Sequence, residues 1–154
     1  AAAVLLLAVE SPAGEIARGS TEIARGSTEI ARGSTFHVIV NRSNPISELT
    51  RAEVSAIFMK RIRSWRDGSE ILAVDQPGRS ALRESFSREI HEKSTAFVSR
   101  YWQRVIFAGR GIPPPELRSD EDVMTFVAKN RGAIGYVSTA VDLDEGVKVI
   151  EVTR

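Results

Sequence analysis

Short β-branched runs alternating with helical periodicities constrain the fold of this chain more than any other feature. Phe36-His37-Val38-Ile39-Val40 is nearly all apolar and suits a strand buried on both faces. Asn41 to Pro45 reads as a turn. Thr50-Arg51-Ala52-Glu53 then has the capping-box pattern, in which Thr50 and Glu53 satisfy each other's end of a helix. Val54, Ile57 and Phe58 follow at helical spacing. Asp67-Gly68 turns the chain into a second apolar strand, Ile71-Leu72-Ala73-Val74. Pro77-Gly78 breaks that strand, and a helix follows with Leu82, Phe86 and Ile90 four apart on one stripe.

Ser94 can cap a further helix whose apolar residues, from Phe97 and Val98 to Val105 and Ile106, spread over a broad surface. Such breadth predicts cover on two sides. Gly109-Arg110-Gly111 stops it, and Pro113-Pro114-Pro115 predicts a stiff exposed connector. Ser119-Asp120-Glu121-Asp122 opens a last helix with acids where the macrodipole favours them. Gly132 ends that helix, and residues 133–137 and 147–152 supply two more strands. The alternation predicts an α/β domain, a layered sheet flanked by helices, over residues 36–154.

The chain ahead of Phe36 has a different character. Residues 15–35 are three identical copies of Glu-Ile-Ala-Arg-Gly-Ser-Thr. The period is seven, but Ile16 and Ala17 are adjacent and cannot occupy the a and d positions of a coiled coil. A Gly in every copy also costs a helix about 1 kcal/mol. Residues 14–35 are therefore expected to be a disordered linker that arose by tandem duplication. Ala1 to Val9 is a short apolar run, and Ser11-Pro12-Ala13 places small residues where a signal peptidase would cut before Gly14. Residues 1–13 are expected to be the remnant of a signal peptide, which makes the protein periplasmic or otherwise exported, with no stable membrane span in the mature chain.

Bulk properties exclude several classes. The formal net charge of +1 gives no global argument for nucleic acid or an anionic membrane. The absence of Cys removes thiolate metal sites, thiol catalysis and disulfides. Ser80, Asp75 and His91 suggest a catalytic triad, but eleven helical rises of about 1.5 Å separate Ser80 from His91 if one helix carries both. His37 falls inside the first strand, as a core or strand-edge histidine. Asp142, Asp144 and Glu145 have no histidine companions; a solvated turn is the better reading, with a weak calcium site as the alternative. No enzyme signature remains, and no cofactor is called for. Lys60 to Arg66 has the composition of a stacking site for single-stranded nucleic acid. In a near-neutral chain, a Trp65 that pins the loop while its charges stay in water explains the run better.

One passage points to a ligand. Gln76-Pro77-Gly78-Arg79-Ser80-Ala81-Leu82-Arg83-Glu84 runs from strand through turn to helix, and places free N–H groups beside a hydroxyl and two arginines. Helix starts of this kind bind phosphate and carboxylate, and Arg contacts strengthen and orient the anion. Ser80, Arg83, Arg79 and Ala81 are the candidate contacts. The competing reading is that Ser80 merely caps the helix while Arg79 and Arg83 are solvated.

In order along residues 36–137, the chain carries Val40-Asn41-Arg42-Ser43-Asn44-Pro45, Ile57-Phe58-Met59-Lys60, Trp65, Asp67-Gly68 and Gly132-Ala133-Ile134-Gly135-Tyr136. Together with the Ser80–Arg83 turn these resemble the solute-binding proteins of phosphate ABC transporters. Residues 100–114 likewise resemble a stretch of short exported proteins of that kind. The resemblance implies about one lobe of a type 2 periplasmic-binding-protein fold, a site for phosphate or a similar oxyanion, and an ABC permease or envelope protein as partner. The family's Ser-Gly-Thr-Arg falls on Ser80-Ala81-Leu82-Arg83, so Ala81 and Leu82 replace Gly and Thr, and Lys60 replaces a Gly. The family's other anion-binding loop has no counterpart. The alternative is an envelope interaction or sensing module that kept the fold and lost the ligand.

Overall fold

The structure, a computed structural model, describes residues 33–154; the signal-peptide and most of the repeat expectations fall on residues outside that range. Strand β1 (Phe36–Asn41) is the centre of a four-stranded sheet. It pairs antiparallel with β4 (Ala133–Ser138) on one side and with β5 (Val147–Val149) on the other. The two-residue β3 (Leu72–Ala73) lies parallel to the outer edge of β4. A second, two-stranded sheet joins β2 (Glu48–Thr50) in parallel to β6 (Glu151–Thr153). The expected strand at 147–152 is thus two strands in two sheets, broken at Ile150.

The period-2 alternation of β1 and β4 divides the core in two. Phe36, Val38, Val40, Ile134 and Tyr136 face α1 (Arg51–Phe58) and α2 (Ala81–Phe86), where Phe58 and Phe86 complete an aromatic cluster. Phe86 stacks on Tyr136 with ring centroids 3.9 Å apart. On the opposite face Ile39, Ala133, Val137 and Val147 meet Val123 and Val127 of α4 (Asp120–Lys129). Gly135 permits this approach: a Cβ there would lie 2.6 Å from Val123 Cγ1.

Local signals place the helices. The capping box of α1 is complete, with Thr50 Oγ1 accepting from the Glu53 N–H and Glu53 Oε2 accepting from the Thr50 N–H at 2.8 Å. Thr50→Ala is expected to lower stability by about 1 kcal/mol, checked by urea denaturation. Ser80, Ser94 and Ser119 cap α2, α3 (Thr95–Phe107) and α4 through the hydroxyl oxygen alone, without the reciprocal half of a capping box. The helix begun by α2 continues as a π-helical turn, Ser87–His91, and stops at Glu92 with φ 54°. Trp65 is buried and its indole N–H donates to the Gly132 carbonyl at 3.0 Å, pinning a loop whose cations stay exposed. Lys60 has φ 54°, the left-handed conformation that suits the Gly of the resembling family.

Helix α3 departs from expectation. Only Val98 and Trp102 of it are buried, together with Met59, so one side is covered rather than two. Pro114 is buried, so the proline connector is only partly exposed.

Candidate functional site

The passage from β3 to α2 does not gather its four candidate residues at one point. Ser80 Oγ accepts from the Arg83 N–H at 3.0 Å and serves as the N-cap of α2. Arg79 is exposed. Ala81 lines an open hollow of about 490 Å³ together with Thr35, Gln76, Leu82, Ser85 and Asp120. Arg83 turns the other way, into the protein, and its side chain is 8% exposed. The competing reading in which Arg83 is solvated does not hold, because Arg83 shares the inward face of α2 with Phe86.

Arg83 is held by three oxygens. Its Nη2 lies 3.1 Å from Asp75 Oδ2. Its Nη1 donates to the Gln76 carbonyl at 2.9 Å and to Glu116 Oε1. The backbone of Gly78 sits against the pair, since a Cβ there would lie 3.7 Å from Arg83 Nη1 and 3.8 Å from Glu116 Oε1. Asp75 and Glu116 come together because residues 75 and 115–117 form a parallel bridge, with the Asp75 N–H donating to the Pro115 carbonyl and the Leu117 N–H donating to the Asp75 carbonyl.

Asp75 is the buried hub. Its Oδ1 accepts from the Tyr136 hydroxyl at 2.5 Å and from the Gln76 N–H at 2.8 Å. Burial pushes its pKa up; the Arg83 guanidinium and the Tyr136 hydrogen bond act against that rise. Burial, reinforced by the Asp75 charge, also pushes the Tyr136 phenol far above its ordinary range. Gln76 links this hub to the hollow, donating through Nε2 to Asp120 Oδ1 at 2.8 Å and to the Tyr136 carbonyl at 3.1 Å.

Sequence reasoning missed Glu116 and took Asp75 only as a member of an unworkable triad. Arg83 stands three residues before Phe86 and seven before Ile90, a spacing that puts it on the buried stripe. An arginine there requires a carboxylate partner, and that was the available signal. His91 lies 2.8 Å through Nδ1 from Ser55 Oγ, a hydrogen bond either tautomer can make, and Ser80 has its own cap to serve. Asp144 Oδ1 accepts from the Gly146 N–H, and among the described residues no three potential metal ligands converge.

The motifs of the resemblance hold the frame. Asn41 Nδ2 donates to the Val127 and Ala128 carbonyls at 2.9 Å, closing the C-terminal end of α4, while Asn44 Oδ1 accepts from the Ile46 N–H. Among the described residues no helix is long and apolar enough to cross a membrane.

The profile of the PBP superfamily domain matches residues 26–152, and the chain belongs to that family. Its fold is similar to that of a putative phosphate ABC transporter substrate-binding protein with bound phosphate from Clostridium perfringens, at a TM-score of 0.59 and 20% identity over 77% of this chain and 44% of that one. It is also similar to an ABC-type phosphate transport receptor from Vibrio cholerae, at 0.60 and 23% over 77% and 46%. A possible phosphate binding protein from Planctomyces limnophilus matches at 0.55 and 17% over 88% and 50%. The chain thus spans about half the length of these proteins, as one lobe of the fold. No curated protein matches it.

Proposed function

We propose that this chain is an exported solute-binding lobe that takes phosphate or a similar small oxyanion in the service of ABC-type uptake. The observation that carries the reading is that Arg83 already holds an anionic group presented from the surface: the Glu116 side chain is 51% exposed, whereas Asp75 grips the guanidinium from within. A phosphate offers the guanidinium the same acceptor oxygens as that carboxylate. In this reading Asp75 orients Arg83, the oxyanion replaces Glu116 on Nη1, and the Ala81 N–H, Arg79 and the Ser80-capped start of α2 add favourable field. Binding is weak because Glu116 competes for the same nitrogen.

The test is isothermal titration of the full chain with phosphate, with sulfate as the control. A pair with one partner half-exposed to water is worth about 0.2–1 kcal/mol, so Glu116→Ala should tighten phosphate by up to about fivefold. Arg79→Ala should loosen it without unfolding the protein. Absence of heat at millimolar phosphate in both the wild type and Glu116→Ala, with both folded, overturns the reading.

A second reading has its own support. Three carboxylates, Asp75, Glu116 and Asp120, surround one buried arginine and its neighbouring hollow. That charge balance favours an envelope interaction or sensing module that kept the fold without the anion, and it predicts the silent titration.

A further inference from the structure

The near-neutral total charge hides a strong segregation. Residues 54–66 and 93–112 carry four cations each and no carboxylate. The fold brings the two segments into contact. The Tyr101 hydroxyl donates to the Met59 carbonyl at 3.3 Å, and the Arg61 guanidinium lies over the Tyr101 ring at 5.7 Å. Arg63 Nη2 lies 4.0 Å from where a side chain on Gly111 would begin. Apart from Arg66, which approaches Glu53 at 3.9 Å, the cations of both segments have no carboxylate within ion-pair distance among the described residues.

Bare apolar side chains stand among these cations. Phe107 is 91% exposed and Ile112 68%, with Ile106 half-exposed beside them. These residues stand at the C-terminal end of α3 and in the turn after it.

We propose that this surface docks on an anionic lipid bilayer, with Phe107 and Ile112 entering the headgroup boundary while Arg61, Arg63, Arg104 and Arg110 engage lipid phosphates. Charge complementarity selects an anionic partner. Exposed apolar side chains interleaved with unpaired arginines suit a lipid surface, because each apolar side chain can enter the headgroup boundary while each arginine stem lies along the acyl boundary with its head among phosphates. The inference is independent of the oxyanion site, which lies on other residues.

The test is co-sedimentation of the full chain with phosphatidylcholine vesicles, with and without about a third phosphatidylglycerol. Binding should be at least about tenfold stronger with the anionic lipid. Phe107→Ser with Ile112→Ser should remove most of it, and so should Gln at Arg61, Arg63, Arg104 and Arg110; all are surface positions, and circular dichroism checks the fold. Equal binding to both vesicles, no binding, or variants that bind like the wild type each overturn the proposal. Salt-sensitive capture of an acidic protein without vesicle binding points to a protein partner and overturns it too.

Discussion

Replacing Arg83 with Ala is expected to lower the stability of the domain by about 3–5 kcal/mol, read as a shift of the urea midpoint at unchanged slope. The loss comes less from the missing contacts than from what they leave behind. Asp75 is only 8% exposed, and without the guanidinium its charge keeps only the Tyr136 hydroxyl and the Gln76 N–H as partners. The carboxyl then escapes by binding a proton. Its folded pKa, already raised by burial, rises further. A raised carboxyl pKa means that the folded state holds its proton more tightly than the unfolded chain, so the deficit should shrink as pH falls from 7 towards 5. Adding Asp75→Asn to Arg83→Ala should recover part of the loss by removing the stranded charge. A double variant as unstable as the sum of the two singles would refute the coupling.

Acidification is expected to cost the wild-type fold about 2 kcal/mol between pH 6.5 and 4 through His91 alone. Burial, followed by the charges of Arg83 and Arg61, pushes its pKa from 6.5 down to about 4. The unfolded chain therefore takes up the proton first. The stability that depends on neutral His91 is complete above pH 6.5 and is lost as pH falls towards 4. The full shift corresponds to about 3 kcal/mol, and the partial exposure of the ring reduces it. Ser55 bonds the ring and Phe86 packs its edge against it at 5.5 Å between centroids. His91→Gln can keep the Ser55 hydrogen bond and should flatten the profile in urea titrations at the two pH values. Asp75 acts with the opposite sign in acid, so the comparison must be made between variant and wild type. An unchanged profile in His91→Gln would exclude His91 as the titrating group.

The parts of this fold legible in the sequence are those fixed by neighbours a few residues away. The capping box at Thr50, the serine caps at 80, 94 and 119, the buried run of β1 and the pinning by Trp65 follow from local chemistry. Strand β2 was not legible: three residues carry no usable alternation, and its partner β6 lies about a hundred residues downstream. The breadth of α3 was legible, but its consequence was not, since a helix with a broad apolar surface can be covered twice or left bare on one side. The candidate site divides in the same manner. Ser80 as a cap could be read from its own turn, whereas the inward course of Arg83 depends on Asp75 and Glu116, which a bridge between distant loops brings together.

The central position of β1 also governs when the domain can assemble. Both hydrogen-bonded neighbours of this strand, β4 and β5, are translated roughly a hundred residues after it. Loop-closure entropy must be met before either pairing gains anything, so β1 waits as an unsatisfied apolar segment while the residues up to β4 and β5 are made. A nascent chain of this design stays open until β4 and β5 emerge, and so depends until then on whatever holds unfolded chains.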